Sequence, residues 1–136
     1  HMQLAEFLID QGADLHQQFG KRKQTLLHWA AENSSFGVAS FLLLHKANVN
    51  ALQSDGSTPL LLAAKHGHQY VVKLLLTNHA LLTPRNASNA TARSVASRGQ
   101  HHQIVQMIDA IADSRPNWLQ VAEQQFQAPS GQQSLF

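Results

Sequence analysis

Apolar and polar residues follow a pattern that recurs every 33 residues along this chain. Thr25, Thr58 and Thr91 are separated by this interval. The same step links apolar and small residues in three successive segments: Ala30/Ala63/Ala96, Val38/Val71/Ile104, Phe41/Leu74/Met107 and Leu42/Leu75/Ile108. A fixed period of this length predicts a repeat architecture, in which each unit covers the apolar face of its neighbours.

Each period is predicted to contain two short helices. In the best-preserved unit, Thr58 can cap the start of the first helix, and Pro59 suits the first helical position because its missing N–H would be unpaired there. Gly67 can adopt the left-handed conformation that closes a helix. A second helix is predicted from Gln69 to about Asn78, and it is too apolar to stand exposed. The pattern therefore predicts an all-α fold.

This unit resembles the ankyrin repeat. Residues 55–68 read Asp-Gly-Ser-Thr-Pro-Leu-Leu-Leu-Ala-Ala-Lys-His-Gly-His, and residues 71–76 read Val-Val-Lys-Leu-Leu-Leu. The resemblance covers Leu4 to about Ser114. It implies an ankyrin-repeat solenoid of helix-turn-helix units with a C-terminal capping helix, and a function in binding protein rather than in catalysis.

The preceding unit departs from the family pattern. Leu26 stands where proline is usual, and Ser34-Ser35 stands where Gly-His is usual, so looser helix capping is expected in this unit. The resemblance also implies a hydrogen bond between the Thr25 hydroxyl and the His28 imidazole. Later units should lack that bond, because the histidine is replaced there by Leu61 and Ser94.

The repeats are flanked by segments that do not follow the period. Residues 1–2 are interpreted as a cloning remnant, residues 3–114 as repeats, and residues 115–136 as a helical extension and tail. The repeat region comprises a half unit, two full units and a degenerate, more polar cap, with one extra loop residue between Gln17 and Gln24. The half unit suggests a longer parent protein. Trp118 and Phe126 suggest a helix that covers the last repeat, the alternative being a tail that occupies a binding surface.

Composition narrows the possible functions. Net charge is +2, which is too small to argue for nucleic acid as a partner, although the pI is near 9.3. No cysteine is present, which excludes disulfides and thiol chemistry. No apolar run approaches the length of a membrane span. We therefore expect a monomer in the cytoplasm or nucleus, with no membrane association.

The sequence gives no positive indication of catalysis or of a cofactor. No nucleophile elbow, phosphate loop or zinc-protease signature occurs, and the few carboxylates fall on separate units. Among nine histidines, neither His66 with His68 nor His101 with His102 has the spacing that places two side chains on one helical face. We therefore expect no enzyme activity in this chain, no cofactor and no metal site.

The resemblance implies where a partner protein would bind. Ankyrin proteins use the loop before the conserved threonine and the variable residues after Ala-Ala, which border a concave face. Trp29 is interpreted first as a core residue and alternatively as an aromatic anchor for a partner. The full set of predicted contact residues is Lys21, Arg22, Gln24, Trp29, Glu32, Asn33, Ser54, Asp55, Ser57, Lys65, His66, Ser97 and Arg98.

Three functional hypotheses follow. The first is a non-catalytic protein-interaction module. The second is a targeting or substrate-recruiting domain of a larger enzyme, or of a secreted bacterial effector that acts in the host cytosol. The third is an inert structural spacer, which would capture no protein.

Overall fold

The computed structural model describes residue 12 and residues 14–115. Within them the chain forms six helices: α1 (Leu26–Glu32), α2 (Phe36–Leu44), α3 (Pro59–Lys65), α4 (Gln69–Thr77), α5 (Ala92–Arg98) and α6 (His102–Ser114). Helices α1, α3 and α5 pack side by side as an inner layer, and α2, α4 and α6 form an outer layer. This two-layer stack confirms the prediction of an all-α solenoid.

Several predictions fall on residues outside the described part of the chain. These are the cloning remnant at residues 1–2, the half unit that begins at Leu4, and the helix with Trp118 and Phe126. The predicted second helix of the best-preserved unit lies within the described part. It is α4, and Asn78 is its C-cap, as the sequence indicates.

Small and large apolar residues have different roles in the core. Alanines on the inner helices are fully buried, which lets the backbones of neighbouring repeats approach closely: Ala30, Ala31, Ala63, Ala64 and Ala96. Leu42, Leu75 and Ile108 on the outer helices occupy equivalent positions and are also buried, with at most 3% of the residue exposed. Each of these large side chains contributes about 1.5–3 kcal/mol to folding. The 33-residue period therefore records one repeated packing arrangement.

The inner helices begin at equivalent threonines. The side chains of Thr25, Thr58 and Thr91 each accept a hydrogen bond from the backbone N–H three residues later. Helix α1 also has a complete capping box, because the His28 side chain accepts a hydrogen bond from the Thr25 backbone N–H. The prediction of looser capping at this helix start was therefore wrong.

The connection from inner to outer helix requires a left-handed residue in every unit. Gly67 takes this position in the third unit with φ of 76°, and Ser34 takes it in the second with φ of 57°. A left-handed conformation costs a residue with a Cβ about 1–2 kcal/mol, while glycine has a larger entropy to lose on folding. We therefore still expect this capping to be less favourable in the second unit, although its closing bond from Ser35 N to Ala30 O, at 2.9 Å, is as short as that from His68 N to Ala63 O in the third, at 3.0 Å.

Ser34→Gly is expected to stabilise the fold by roughly 0.5 kcal/mol, since relief of the backbone strain outweighs the entropy of glycine. Urea denaturation followed by circular dichroism measures the change. Ser40→Gly within α2 is the control and should destabilise, because its helical backbone has no strain to relieve. Equal losses in both variants would contradict the assignment of strain to Ser34.

Three loops precede the inner helices and are called here the fingertip loops: residues 20–23, 54–56 and 87–89. Backbone hydrogen bonds close them between Phe19 and Gln24, from Gln53 N to Ser57 O, and from Asn86 N to Ala90 O. The first loop is thus one residue longer than the other two. This locates the extra residue that the sequence places between Gln17 and Gln24.

Candidate functional site

The fingertip loops and the C-terminal ends of the inner helices form one face, called here the inner face. Adjacent fingertip loops are joined through their backbones. Ser54 N donates to Arg22 O at 2.8 Å, and Ala87 N donates to Asp55 O at 2.7 Å. These bonds occupy equivalent positions in the repeat. They hold the three loops in a fixed row, which limits their motion relative to one another.

A polar network ties the first fingertip loop to the end of α1. The Arg22 guanidinium donates to both carboxylate oxygens of Glu32, at 3.2 and 3.0 Å. The Gln24 amide donates to Glu32 at 3.0 Å and also to Gln53 Oε1 at 3.0 Å. The hydrogen bond from Gln24, followed by that from Arg22, lowers the pKa of Glu32. Glu32 is therefore an ionised carboxylate whose charge is balanced within the chain.

Asp55 stabilises the second fingertip loop. Its carboxylate accepts from Gln53 Nε2 and from the Ser57 backbone N–H, both at 2.9 Å. Partial burial acts to raise the pKa of Asp55, but these hydrogen bonds outweigh it and the pKa is lowered. The side chain is exposed, yet its oxygens are already engaged by its own loop.

His28 is fully buried and links two units. Its Nδ1 accepts from the Thr25 backbone N–H at 3.1 Å and lies 2.9 Å from the Thr25 hydroxyl, which confirms the predicted Thr25–His28 bond. Because Nδ1 accepts, Nε2 carries the proton and donates to Ser57 O at 3.0 Å. Burial lowers the pKa of His28 from its ordinary value of 6.5, so the ring is neutral. This histidine is part of the repeat framework.

The fourth unit replaces this histidine without losing the cap. Ser94 Oγ accepts from the Thr91 backbone N–H at 2.8 Å, and Ser94 N donates to Thr91 Oγ1 at 3.2 Å. The bond between hydroxyl and imidazole is absent, as expected, but serine supplies the second half of a capping box. The short hydroxyl reaches the same backbone donor, and its own proton is donated to Thr91 O at 3.0 Å.

Two other histidines connect neighbouring repeats. His68 Nε2 lies 2.9 Å from Glu32 O, and His101 Nε2 lies 3.2 Å from Lys65 O. Each therefore satisfies a carbonyl at the C-terminal end of the preceding inner helix, where backbone acceptors lack helical partners. Sequence reasoning includes His68 in the repeat motif and weighs both histidines as metal ligands, but it misses their contribution to the contact between repeats.

No metal-binding arrangement occurs in residues 14–115. The rings of His66 and His68 stack with centroids 5.9 Å apart, and His66 Nε2 lies 3.9 Å from Glu32 Oε1. Even so, no group of three or more histidine, cysteine, aspartate or glutamate residues in this part of the chain could hold a metal ion. Within the same residues, no helix is long and apolar enough to cross a membrane.

Most of the predicted contact residues reach solvent. Gln24, Trp29 and Glu32 are partly exposed, and Trp29 also packs against the core. The core interpretation of Trp29 accounts for that packing, while its role as an anchor stays a prediction. The exposed members are Lys21, Arg22, Asn33, Ser54, Asp55, Lys65, His66, Ser97 and Arg98.

Two predicted contact residues require correction. Ser57 is only 1% exposed, because it lies under the second fingertip loop, where its carbonyl bonds to His28 and its N–H to Asp55. It is therefore removed from the set. Ser97 is exposed, but it occupies the repeat position of the buried Ala31 and Ala64 in the preceding inner helices. It therefore lies at the end of the stack, outside the row containing Lys65 and Arg98.

Sequence reasoning also overlooked Gln53. This side chain is 6% exposed, and it bridges the fingertip loops by accepting from Gln24 and donating to Asp55. Nothing in its local sequence distinguishes it from an exposed loop glutamine. Its role depends on the approach of a residue from the preceding unit, which only the folded chain reveals.

The stacked units, the capped inner helices and the row of fingertip loops define a helical-repeat protein. The family model for ankyrin repeats (3 copies) matches residues 1–86 and 38–117. This chain belongs to the ankyrin-repeat family. Ankyrin repeats are in general protein-interaction modules and are in general non-catalytic.

Curated proteins that contain similar segments are much longer. The chain is 31% identical to Protein glp-1 of Caenorhabditis elegans over 121 residues, which cover 84% of this chain and 9% of that protein. It is 34% identical to Neurogenic locus notch homolog protein 1 of Xenopus tropicalis over 107 residues, which cover 77% of this chain and 4% of that protein. It is 39% identical to ARF GTPase-activating protein Git of Drosophila melanogaster over 70 residues, which cover 52% of this chain and 9% of that protein. The chain thus spans less than a tenth of each of these relatives.

Proposed function

We propose that this chain binds a partner protein through its inner face and performs no catalysis. The observation that carries the proposal is the backbone-linked row of fingertip loops, which presents exposed polar side chains at equivalent positions in successive units. A surface that is already ordered loses less conformational entropy on binding than a flexible one. The linked loops are therefore suited to recognition.

The residues of the inner face divide into two groups under this proposal. Arg22, Gln24, Glu32 and Asp55 are engaged within the chain, and we assign them mainly to holding the loops in place. The side chains that we propose for direct contact with the partner project from the loop tips and helix ends. They are Lys21, Asn33, Ser54, Lys65, His66 and Arg98.

Photo-crosslinking tests whether the partner occupies this face. Benzoylphenylalanine is introduced singly at Asn33 and at His66, and as matched controls at Lys73 and Gln106, which are exposed on the outer helices. We expect a discrete crosslinked protein in a source-cell extract from the first pair and none from the second, read by mass spectrometry. Equal crosslinking from both faces, or crosslinking from the outer helices alone, would reject the inner face.

A second candidate function is recruitment by a larger protein that contains this module. It is favoured by the small share of each relative that the chain covers, and by one relative whose name describes a GTPase-activating protein. In that case the partner bound at the inner face would be a substrate or a localising protein for a separate domain. Sequencing of the complete transcript distinguishes this function from that of an independent adaptor.

A further inference from the structure

Basic side chains predominate on the inner face. Lys65 and Arg98 occupy the same position in successive units, each in the last turn of its inner helix. Lys21 and Lys23 lie at the tip of the first fingertip loop. All four residues are exposed, and within residues 14–115 none of their side chains makes a hydrogen bond or an ion pair. Their charges are therefore available to a partner.

The carboxylates of the inner face are already engaged. Glu32 is held by Arg22 and Gln24, and Asp55 accepts two hydrogen bonds from its own loop. Another described carboxylate, Asp109, pairs with Arg93 at 2.7 Å. Arg22 neutralises Glu32, whereas Asp55 keeps its negative charge because its hydrogen-bond donors are neutral. The four unpaired cations outweigh that single charge, so a ligand at the inner face would meet net positive charge.

The spacing of the cations restricts the shape of a complementary ligand. Lys65 and Arg98 end α3 and α5, and helices packed side by side are separated by about 8–10 Å. A polyproline II segment rises about 3.1 Å per residue with three residues per turn, so every third side chain returns to the same side after roughly 9 Å. In a β-strand, residues three apart point to opposite sides. The polyproline II spacing therefore fits this pair of cations.

We propose that the inner face binds an acidic segment of the partner in an extended polyproline II conformation, with carboxylates at every third residue that contact Lys65 and Arg98. This inference rests on the proposed function and specifies the partner's chemistry. Lys21 and Lys23 add attraction to the same segment through the neighbouring loop. Because polyproline II is largely preformed in proline-rich chains, little ordering cost opposes such binding.

Two fluorescent peptides of equal composition and charge test the proposal. One repeats Glu-Pro-Pro four times, and the other places its four glutamates consecutively before eight prolines. Fluorescence anisotropy at about 50 mM salt is expected to show severalfold tighter binding of the periodic peptide, since exposed pairs each contribute up to roughly fivefold. The double variant Lys65→Gln with Arg98→Gln should lose about tenfold in affinity.

Matched controls separate specific contacts from general attraction. The variant with Lys46→Gln and Lys73→Gln removes the same charge from exposed residues outside the inner face, and it should bind the periodic peptide as the unmodified protein does. Equal affinity for the two peptides, no loss in the Lys65 and Arg98 variant, or tighter binding of a single-stranded oligonucleotide of equal charge would each overturn the proposal.

The crosslinking experiment keeps the two proposals distinguishable. If the periodic peptide fails to bind while Asn33 and His66 still crosslink a protein, the inner face is the binding surface and its ligand is not of this kind. If neither inner-face position crosslinks a protein, the proposed function itself fails.

Discussion

Replacing His28 with alanine is expected to lower the free energy of unfolding by about 3 kcal/mol. The substitution leaves a cavity in a site that is fully buried, and it leaves the Thr25 backbone N–H without its acceptor. Ser57 O loses the imidazole but keeps its bond from Gln53 N, which limits the cost. Domains of this kind have roughly 5–15 kcal/mol in total, so the loss should be evident in urea denaturation.

The other repeats provide matched replacements for this experiment. Leu61 occupies the same position in the third unit, and Ser94 occupies it in the fourth. His28→Leu should recover roughly 1–2 kcal/mol of the alanine loss because it refills the apolar volume. His28→Ser should recover about 1 kcal/mol because its hydroxyl can accept from Thr25 N, as Ser94 does from Thr91 N. If all three variants were as stable as the unmodified protein, His28 would not be a structural residue.

The acid response of the same variants provides a second measurement. Burial lowers the pKa of His28 below 6.5, so the unfolded chain takes up this proton more readily than the native chain. The contribution of His28 is fully present above pH 6.5 and declines as the pH falls from 6.5 toward the lowered native value. Stability curves for the unmodified protein and His28→Leu should therefore converge on acidification. Parallel curves would contradict a buried neutral imidazole.

Gly67→Ala is expected to destabilise the fold by about 2 kcal/mol, for two separate reasons. The backbone at Gly67 has φ of 76°, which costs an alanine about 1 kcal/mol or more. A Cβ at this position would also lie 2.7 Å from Cε1 of His101, and the ring would have to move. Moving it weakens the hydrogen bond from His101 to Lys65 O, which contributes about 1 kcal/mol.

A double-mutant cycle separates these two costs. In a His101→Ala background the ring is absent, so Gly67→Ala should cost only the backbone term, about half of its original effect. Gly99→Ala is the complementary control: its Cβ would lie 2.7 Å from Nε2 of the same ring, yet its φ of −82° is unstrained. Full additivity of Gly67→Ala and His101→Ala would show that the ring contact has no energetic effect. Thermal unfolding followed by circular dichroism supplies each value.

Much of the fold follows from the sequence, because the period repeats both the packing and the capping. Every unit has the same local requirements, and the same residue types meet them. Threonine caps each inner helix, alanine allows neighbouring inner helices to approach, and leucine or isoleucine fills the space between the two layers. The position of the extra loop residue could also be deduced, since an insertion shifts the register on one side only. The expectation of looser capping at Leu26 was wrong, because the absence of proline does not indicate whether the His28 side chain completes the cap.

The candidate surface was less predictable than the fold. Ser57 and Gln53 lie in the same loop region as exposed residues, and their burial depends on groups from the preceding unit. Likewise, the engagement of Arg22 by Glu32 joins residues that belong to different elements. Sequence periodicity identifies which positions are equivalent, but it does not show which of them are already hydrogen-bonded to a neighbouring repeat.

The first fingertip loop is one residue longer than the others, yet the common register resumes at Gln24. The added residue is contained between the backbone pair of Phe19 and Gln24, and Arg22 O still bonds to Ser54 N. The packed helices therefore accommodate a fingertip loop of four residues as well as loops of three. The tip of this loop beside Lys21 is accordingly a natural site for grafted sequences, because an insertion there can vary recognition while Arg22 keeps its bonds to Glu32.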